Sequence, residues 1–314
     1  MWRIGAELAA GILLLYCGAE LLVKGGVAVA VRLGIPPLIV GLTLVSFATS
    51  APELVVSIQA ALEGNGAISV GNVVGSNICN LGLILGLSSV IAPLEVSRRL
   101  RIVDAPQMIA LTALFAGIGF FAHRFDRLAG VLFLALLALS LRANIRSARR
   151  NGEAPPPEVC SGARSLPAAL LMTAGGVAAL TGGAHLLVEG ATALGKLAGI
   201  SDAVIGLTIV AVGTSLPELA TSVIAAIRRE QEIALGNIVG SNILNILVIM
   251  GISPLIRPVS ATGITGVDWA VLLGTALLLY PMMLPKRIPR AGGLLFLLVF
   301  IGYMAWLVYS SAAG

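Results

Sequence analysis

Two stretches decide the fold: GLTLVSFATSAPELVVS at residues 41–57 and GLTIVAVGTSLPELATS at residues 206–222. They lie 165 positions apart, and the correspondence runs well beyond them. Residues 35–93 align without a gap to residues 200–258, with 27 of 59 pairs identical. GNVVGSNICN at 71–80 matches GNIVGSNILN at 236–245, and upstream GAELLVKGG at 18–26 matches GAHLLVEGA at 183–191. Two diverged copies of one unit therefore make up the chain.

The sequence around this repeat is that of a helical membrane protein. Of 314 residues 58% are hydrophobic and 11% charged, against about 25% charged in an ordinary soluble domain. The apolar runs are continuous, as in LLFLLVFIGYMAWLVY at 294–309, whereas the strands of a membrane barrel alternate. The 37 glycines suit closely packed membrane helices. A span needs about 20 apolar residues. Ten are expected, near 6–23, 36–62, 67–92, 102–122, 128–142, 166–188, 201–227, 233–256, 268–285 and 291–311. The fold class is thus an all-α polytopic membrane protein of two five-helix units, 1–142 and 166–314, joined by a basic, Pro-Pro-Pro-bearing linker at 143–165. Cys17, Cys79 and Cys160 imply no disulfide framework. No cleaved signal peptide is expected, because Glu20, Lys24 and further apolar sequence follow the first run. The basic balance sets topology and does not point to nucleic acid.

An odd number of spans per unit inverts the second relative to the first. With the N- and C-termini outside and the linker cytoplasmic, 15 of the 20 Lys and Arg residues fall on the cytoplasmic side and 5 outside, as positive-inside orientation requires. That layout predicts an inner (plasma) membrane location. Inverted repeats are the architecture of secondary transporters, with the substrate site at the repeat interface near the midplane.

Thr49-Ser50-Ala51-Pro52-Glu53 lies within the second span and Thr214-Ser215-Leu216-Pro217-Glu218 within its counterpart. A carboxylate at the bilayer centre costs about 3 kcal/mol even on lenient scales, so a symmetric pair calls for compensation. No Lys or Arg stands nearby in sequence to supply it. Proline breaks the helix and frees a carbonyl one turn back, and irregular backbone at membrane depth is tolerated only where it lines a cavity. Thr49 and Ser50 stand four and three residues before Glu53 and are expected to share its face. In the next span Ser76 and Asn80 share a face, as do Ser241 and Asn245. The inventory is all oxygen, without thiolate or imidazole, which suits hard cations rather than Zn²⁺ or Cu⁺. Asn72, Asn77, Asn237 and Asn242 are read as bridges between helices. Glu20 and its counterpart His185 are read as packing or capping residues, and Lys24 and Glu189 as side chains snorkelling to the interface.

At these motifs the chain resembles the calcium/cation antiporter superfamily, specifically prokaryotic sodium/calcium exchangers, whose two α-repeats carry GLT…TSxPEL and GNxxGSNIxN. The resemblance implies alternating access driven by a sodium gradient and no cofactor, with Ca²⁺ and Na⁺ as transported ions. It implies Ca²⁺ on Glu53 and Glu218 with oxygens of Thr49 and Thr214. Na⁺ would use the same carboxylates with Ser50, Ser76, Ser215 and Ser241 and backbone oxygens at Ser46 and Ala211. Relatives often carry Asp where this chain has Asn245. Two ionised glutamates total −2, which one Ca²⁺ or two Na⁺ neutralise, whereas a third Na⁺ leaves +1. The partners implied are these ions and the lipid bilayer, with no obligatory protein partner. A proton/calcium exchanger using the same glutamates is the nearest alternative, although a proton does not need so rich a hydroxyl set. A channel fits two nonidentical repeats less well. An intramembrane protease is disfavoured, since His123 and His185 have no GxS-type nucleophile turn to serve.

Overall fold

A computed structural model describes residues 2–151, 165–197 and 213–313. The chain is mostly helical. In chain order the helices are α1 (Trp2–Leu33), α2 (Pro37–Thr49), α3 (Ala51–Leu62), α4 (Gly66–Ile91), α5 (Leu100–Ala122) and α6 (Arg127–Asn151). Then come α7 (Leu166–Leu197), α8 (Leu216–Ile227), α9 (Gln231–Ile256), α10 (Gly266–Met283) and α11 (Arg290–Ala313). Among the described residues eight helices are long and apolar enough to cross a membrane, and the bent pair α2–α3 makes a ninth. Of the expected span 201–227, α8 is described, while 201–212 lies outside the described residues.

Three helices run past their expected ends. The first span continues to Leu33, past Lys24, which pairs with Glu20 one turn back at 2.9 Å, and Gly25–Ala30 beyond it are buried. The sixth continues to Leu197, past Glu189. α6 carries its polar tail to Asn151, into the expected linker. Hydropathy marks where side chains turn polar, not where backbone hydrogen bonding stops.

Two short antiparallel ribbons tie the halves together. β1 (Leu94–Glu95) pairs with β4 (Arg287–Ile288), and β2 (Arg124–Phe125) pairs with β3 (Val259–Ser260). The ribbons lie at opposite ends of α5, which runs from β1 to β2. Each has one strand from either half, and each buries an apolar register pair: Leu94 with Ile288, and Phe125 with Val259. Phe125 continues into an aromatic cluster, stacked on Phe115 at 5.2 Å, with Trp269 edge-on to Phe115 at 5.3 Å. Such pairs stabilise beyond the area they bury.

Small residues set the closest helix contacts. α1 crosses α7 with Gly18 against Gly176 and Gly11 against Gly183. α2 lies on α9, where a Cβ at Gly240 would come within 2.7 Å of Ser46 Oγ and 2.8 Å of the Leu42 carbonyl oxygen. This contact brings the first motif of one half onto the second motif of the other.

Candidate functional site

The backbone leaves helical geometry just before Pro52 and Pro217. Ser50 separates α2 from α3 with φ −81° and ψ 6°, and the two helices bend by 48°. Ser215 precedes α8 with nearly the same angles, −88° and 6°. Pro52 and Pro217 fall in the first turns of α3 and α8, where a missing N–H leaves no hydrogen bond unmade. Glu53 and Glu218 thus occupy first turns as well, where the exposed N–H groups and helix dipole favour negative charge. Both are buried, as are Ser46, Thr49, Ser50, Ser76, Asn80, Ser215, Ser241 and Asn245.

The hydroxyls cross between the halves. Ser50 Oγ donates to Glu218 Oε1 at 2.8 Å, and Ser215 Oγ donates to Glu53 Oε1 at 3.1 Å. The break at Ser50 turns its hydroxyl to the glutamate of the opposite half. Thr49 Oγ1 donates to Asn237 Oδ1 at 3.0 Å and lies 3.3 Å from the Ser46 carbonyl oxygen, which also accepts from Ser50 N at 2.9 Å. Thr214 is half-buried. Ala211 lies outside the described residues.

A second symmetric layer holds the glutamate backbones. Asn72 Nδ2 donates to the Glu53 carbonyl at 3.0 Å and to Ser57 Oγ at 2.9 Å. Asn237 Nδ2 does the same with the Glu218 carbonyl at 3.4 Å and Ser222 Oγ at 3.0 Å. Asn77 Nδ2 reaches the Asn242 carbonyl at 3.3 Å, again across the halves. Asn72, Asn77 and Asn237 thus act as bridges, whereas the Asn242 side chain, expected to do the same, donates to the Ile238 carbonyl of its own helix at 3.0 Å. Sequence reasoning passed over Ser57 and Ser222, though their recurrence at the common offset was a usable signal.

Asn245 Nδ2 donates to Ser76 Oγ at 3.0 Å and to Asn77 Oδ1 at 3.2 Å. Of the side chains expected at the site, five present buried oxygens with no hydrogen-bond partner among the described residues: Glu53 Oε2, Glu218 Oε2, Asn80 Oδ1, Asn245 Oδ1 and Ser241 Oγ. Unpartnered buried acceptors are expensive, and a cation is the partner that would satisfy several at once. Among the described residues no three His, Cys, Asp or Glu side chains converge. The oxygens on offer beyond the two carboxylates are therefore amides and hydroxyls, a hard-cation set. A cavity of about 510 Å³ is lined by Asn72, Ser76 and Thr214, and also by Ile264 and Asp268, which follow β3. It joins the surroundings of the site to the end of the molecule that carries β2 and β3.

Comparison with known proteins places this arrangement in context. The family described as sodium/calcium exchanger protein matches residues 6–146 and 168–309, one segment in each half. The inner membrane protein YrbG of Escherichia coli K12 is 34% identical over 96% of this chain and 95% of its own length. The sodium/calcium exchanger MaX1 of Methanosarcina acetivorans is 32% identical over 80% of this chain and 82% of its own. Among solved structures, the sodium-calcium exchanger NCX_Mj, soaked with zero Na⁺ and Ca²⁺, superposes with a TM-score of 0.85 at 33% identity, covering 97% of this chain and 99% of that one.

Proposed function

The chain belongs to the sodium/calcium exchanger family, and on that premise we propose that it is an inner-membrane antiporter exchanging Na⁺ for Ca²⁺ by alternating access. The ions bind between Glu53 and Glu218, at the interface of two inverted five-helix repeats, 1–142 and 166–314, with the linker cytoplasmic and both termini outside. One observation carries this reading. Each glutamate receives a serine from the other half on Oε1 and leaves its buried Oε2 without a partner. Two unpartnered carboxylate oxygens, with Asn80 Oδ1, Asn245 Oδ1 and Ser241 Oγ, are the beginnings of the six to eight oxygens that Ca²⁺ takes. Ser50, Ser215, Thr49, Thr214 and Ser76 complete the polar shell, along with backbone oxygens at Ser46 and Ala211. The cross-paired ribbons support inversion, since pairing β1 with β4 and β2 with β3 requires each partner to reach the same end of the molecule.

The charge count limits the exchange. Two ionised glutamates are matched by one Ca²⁺ or two Na⁺, and an amide at Asn245 adds no third charge. Sodium is favoured over the proton as the coupling ion because the hydroxyl and amide shell is larger than proton carriage requires. The test is ⁴⁵Ca uptake into proteoliposomes under an imposed Na⁺ gradient, compared with an imposed pH gradient. Uptake driven by Na⁺ alone is expected; uptake driven by pH alone would replace this reading with proton/calcium exchange.

A further inference from the structure

Glu20, on α1, is engaged by a residue far away in sequence. Arg228 Nη2 lies 2.5 Å from Glu20 Oε1 and 2.7 Å from Oε2, and Lys24 Nζ lies 2.9 Å from Oε1. Arg228 ends α8, so this pair fastens α1 of one half to α8 of the other. At the common offset of 165, Glu20 corresponds to His185 on α7, and Arg228 corresponds to Glu63 at the end of α3. The second pair is again an acid and a base, with the two roles exchanged. It is not made here. His185 is 71% exposed and 3.5 Å from Glu189, and Glu63 is exposed and accepts from Gln59 at 2.6 Å.

The two halves differ in cover in the same sense. Val56 on α3 is 40% exposed and lines the cavity, while its counterpart Thr221 on α8 is 0% exposed. Ile68 is 53% exposed and its counterpart Ile233 is 0% exposed. The half around α8 is closed where α1 is fastened, and the half around α3 is open where α7 is not. Because the halves share their sequence pattern, each arrangement is available to the other. The α1–α7 crossing, glycine on glycine at both 18/176 and 11/183, is the same seen from either half.

We infer that Glu20 and Arg228 are positioning residues for transport: their pair holds α1 on α8 while the site is reached from the β2–β3 end, and His185 with Glu63 forms the matching pair when access reverses. This rests on the exchange reading above.

The experiment places a single cysteine, Val56→Cys, in a C17S/C79S/C160S background and measures its rate of reaction with an impermeant methanethiosulfonate from outside. Glu20→Gln and Arg228→Gln are each expected to slow labelling by about twofold to fivefold, the range of a partly exposed ion pair. The double swap E20R/R228E is expected to restore it, which a merely structural role would not do. His185→Gln and Glu63→Gln, which remove the second pair, are each expected to speed labelling in the Glu20→Gln protein. Labelling unchanged by Glu20→Gln and Arg228→Gln, or unrestored by the swap, overturns the first latch. Labelling that neither His185→Gln nor Glu63→Gln speeds overturns the second. Labelling does not depend on the coupling ion, so a proton-driven flux with latch-sensitive labelling would defeat the exchange reading alone.

Discussion

Ser50 Oγ lies 2.8 Å from Glu218 Oε1, a hydrogen bond between residues 168 positions apart. Its counterpart runs from Ser215 to Glu53 at 3.1 Å. The helix that carries each glutamate supplies the serine of the other, so neither half can assemble its carboxylate environment alone. A site built this way is sensitive to a change in either half, and most of the expected outcomes below follow from that reciprocity.

Glu53→Gln and Glu218→Gln are each expected to reduce calcium exchange to the level of empty vesicles while the purified protein keeps its helical circular dichroism. Each replaces one of two buried carboxyls, with its unpartnered Oε2, by an amide. Calcium flux of normal rate in either folded variant would remove the proposed site.

Ser50→Ala and Ser215→Ala leave the charges in place but strip one hydrogen bond from a buried carboxylate. Bonds to charged groups contribute about 1.5–3 kcal/mol, so the apparent affinity for Ca²⁺ should weaken by about tenfold or more in each. The two losses should be similar because the contacts are equivalent. A large loss in one variant with none in the other would argue against a shared, symmetric site. Calcium dependence of uptake measures both.

Asn245→Asp keeps the shape of the side chain and changes its donors. The amide gives two hydrogen bonds, to Ser76 Oγ and Asn77 Oδ1. A protonated carboxyl can give one, and an ionised one none while facing the Asn77 oxygen. Transport is expected to become slower and to acquire a dependence on pH, falling as pH rises. A rate and pH profile identical to the parent protein would show that the donated bonds are dispensable.

Gly240→Ala tests the seam between α2 and α9. The added Cβ would meet Ser46 Oγ at 2.7 Å and the Leu42 carbonyl oxygen at 2.8 Å, and overpacking of this kind costs about 1–3 kcal/mol. Lower thermal stability and reduced exchange are expected. Gly117→Ala, where nothing stands within 4 Å of the new Cβ, should leave both unchanged. Equal stability of the two variants in detergent would contradict the packing described.

Topology is open to cysteine labelling. Cysteines introduced at 151–162 should react with impermeant reagents only from the cytoplasmic side, and those near Asp126 or Arg257 only from outside. Glu95→Cys and Arg287→Cys, opposite one another in the β1–β4 ribbon, should cross-link to each other and be reached from the cytoplasm. Labelling of the linker in intact cells would overturn the orientation.

Sequence alone determined what depends on local pattern and on the repeat. Long apolar runs dictate membrane helices because backbone groups in lipid must bond within their own segment, and the paired Pro52 and Pro217 mark helix starts because proline lacks a donor. The identity of two segments at an offset of 165 picked out Glu53 and Glu218 without any coordinates. Tertiary structure decided who meets whom. Ser50 is three residues from Glu53, and periodicity places them on one face, yet the break at Ser50 hands its hydroxyl to Glu218. Asn80 and Asn245 read alike in sequence, but Asn245 spends its amide protons on Ser76 and Asn77 while Asn80 finds no partner among the described residues. Glu20 reads as a packing residue until Arg228 is seen against it. In each case the deciding contact joins two halves of the chain. Helical periodicity describes only neighbours three or four residues apart, so no local pattern records which side chains face one another once the repeats have packed.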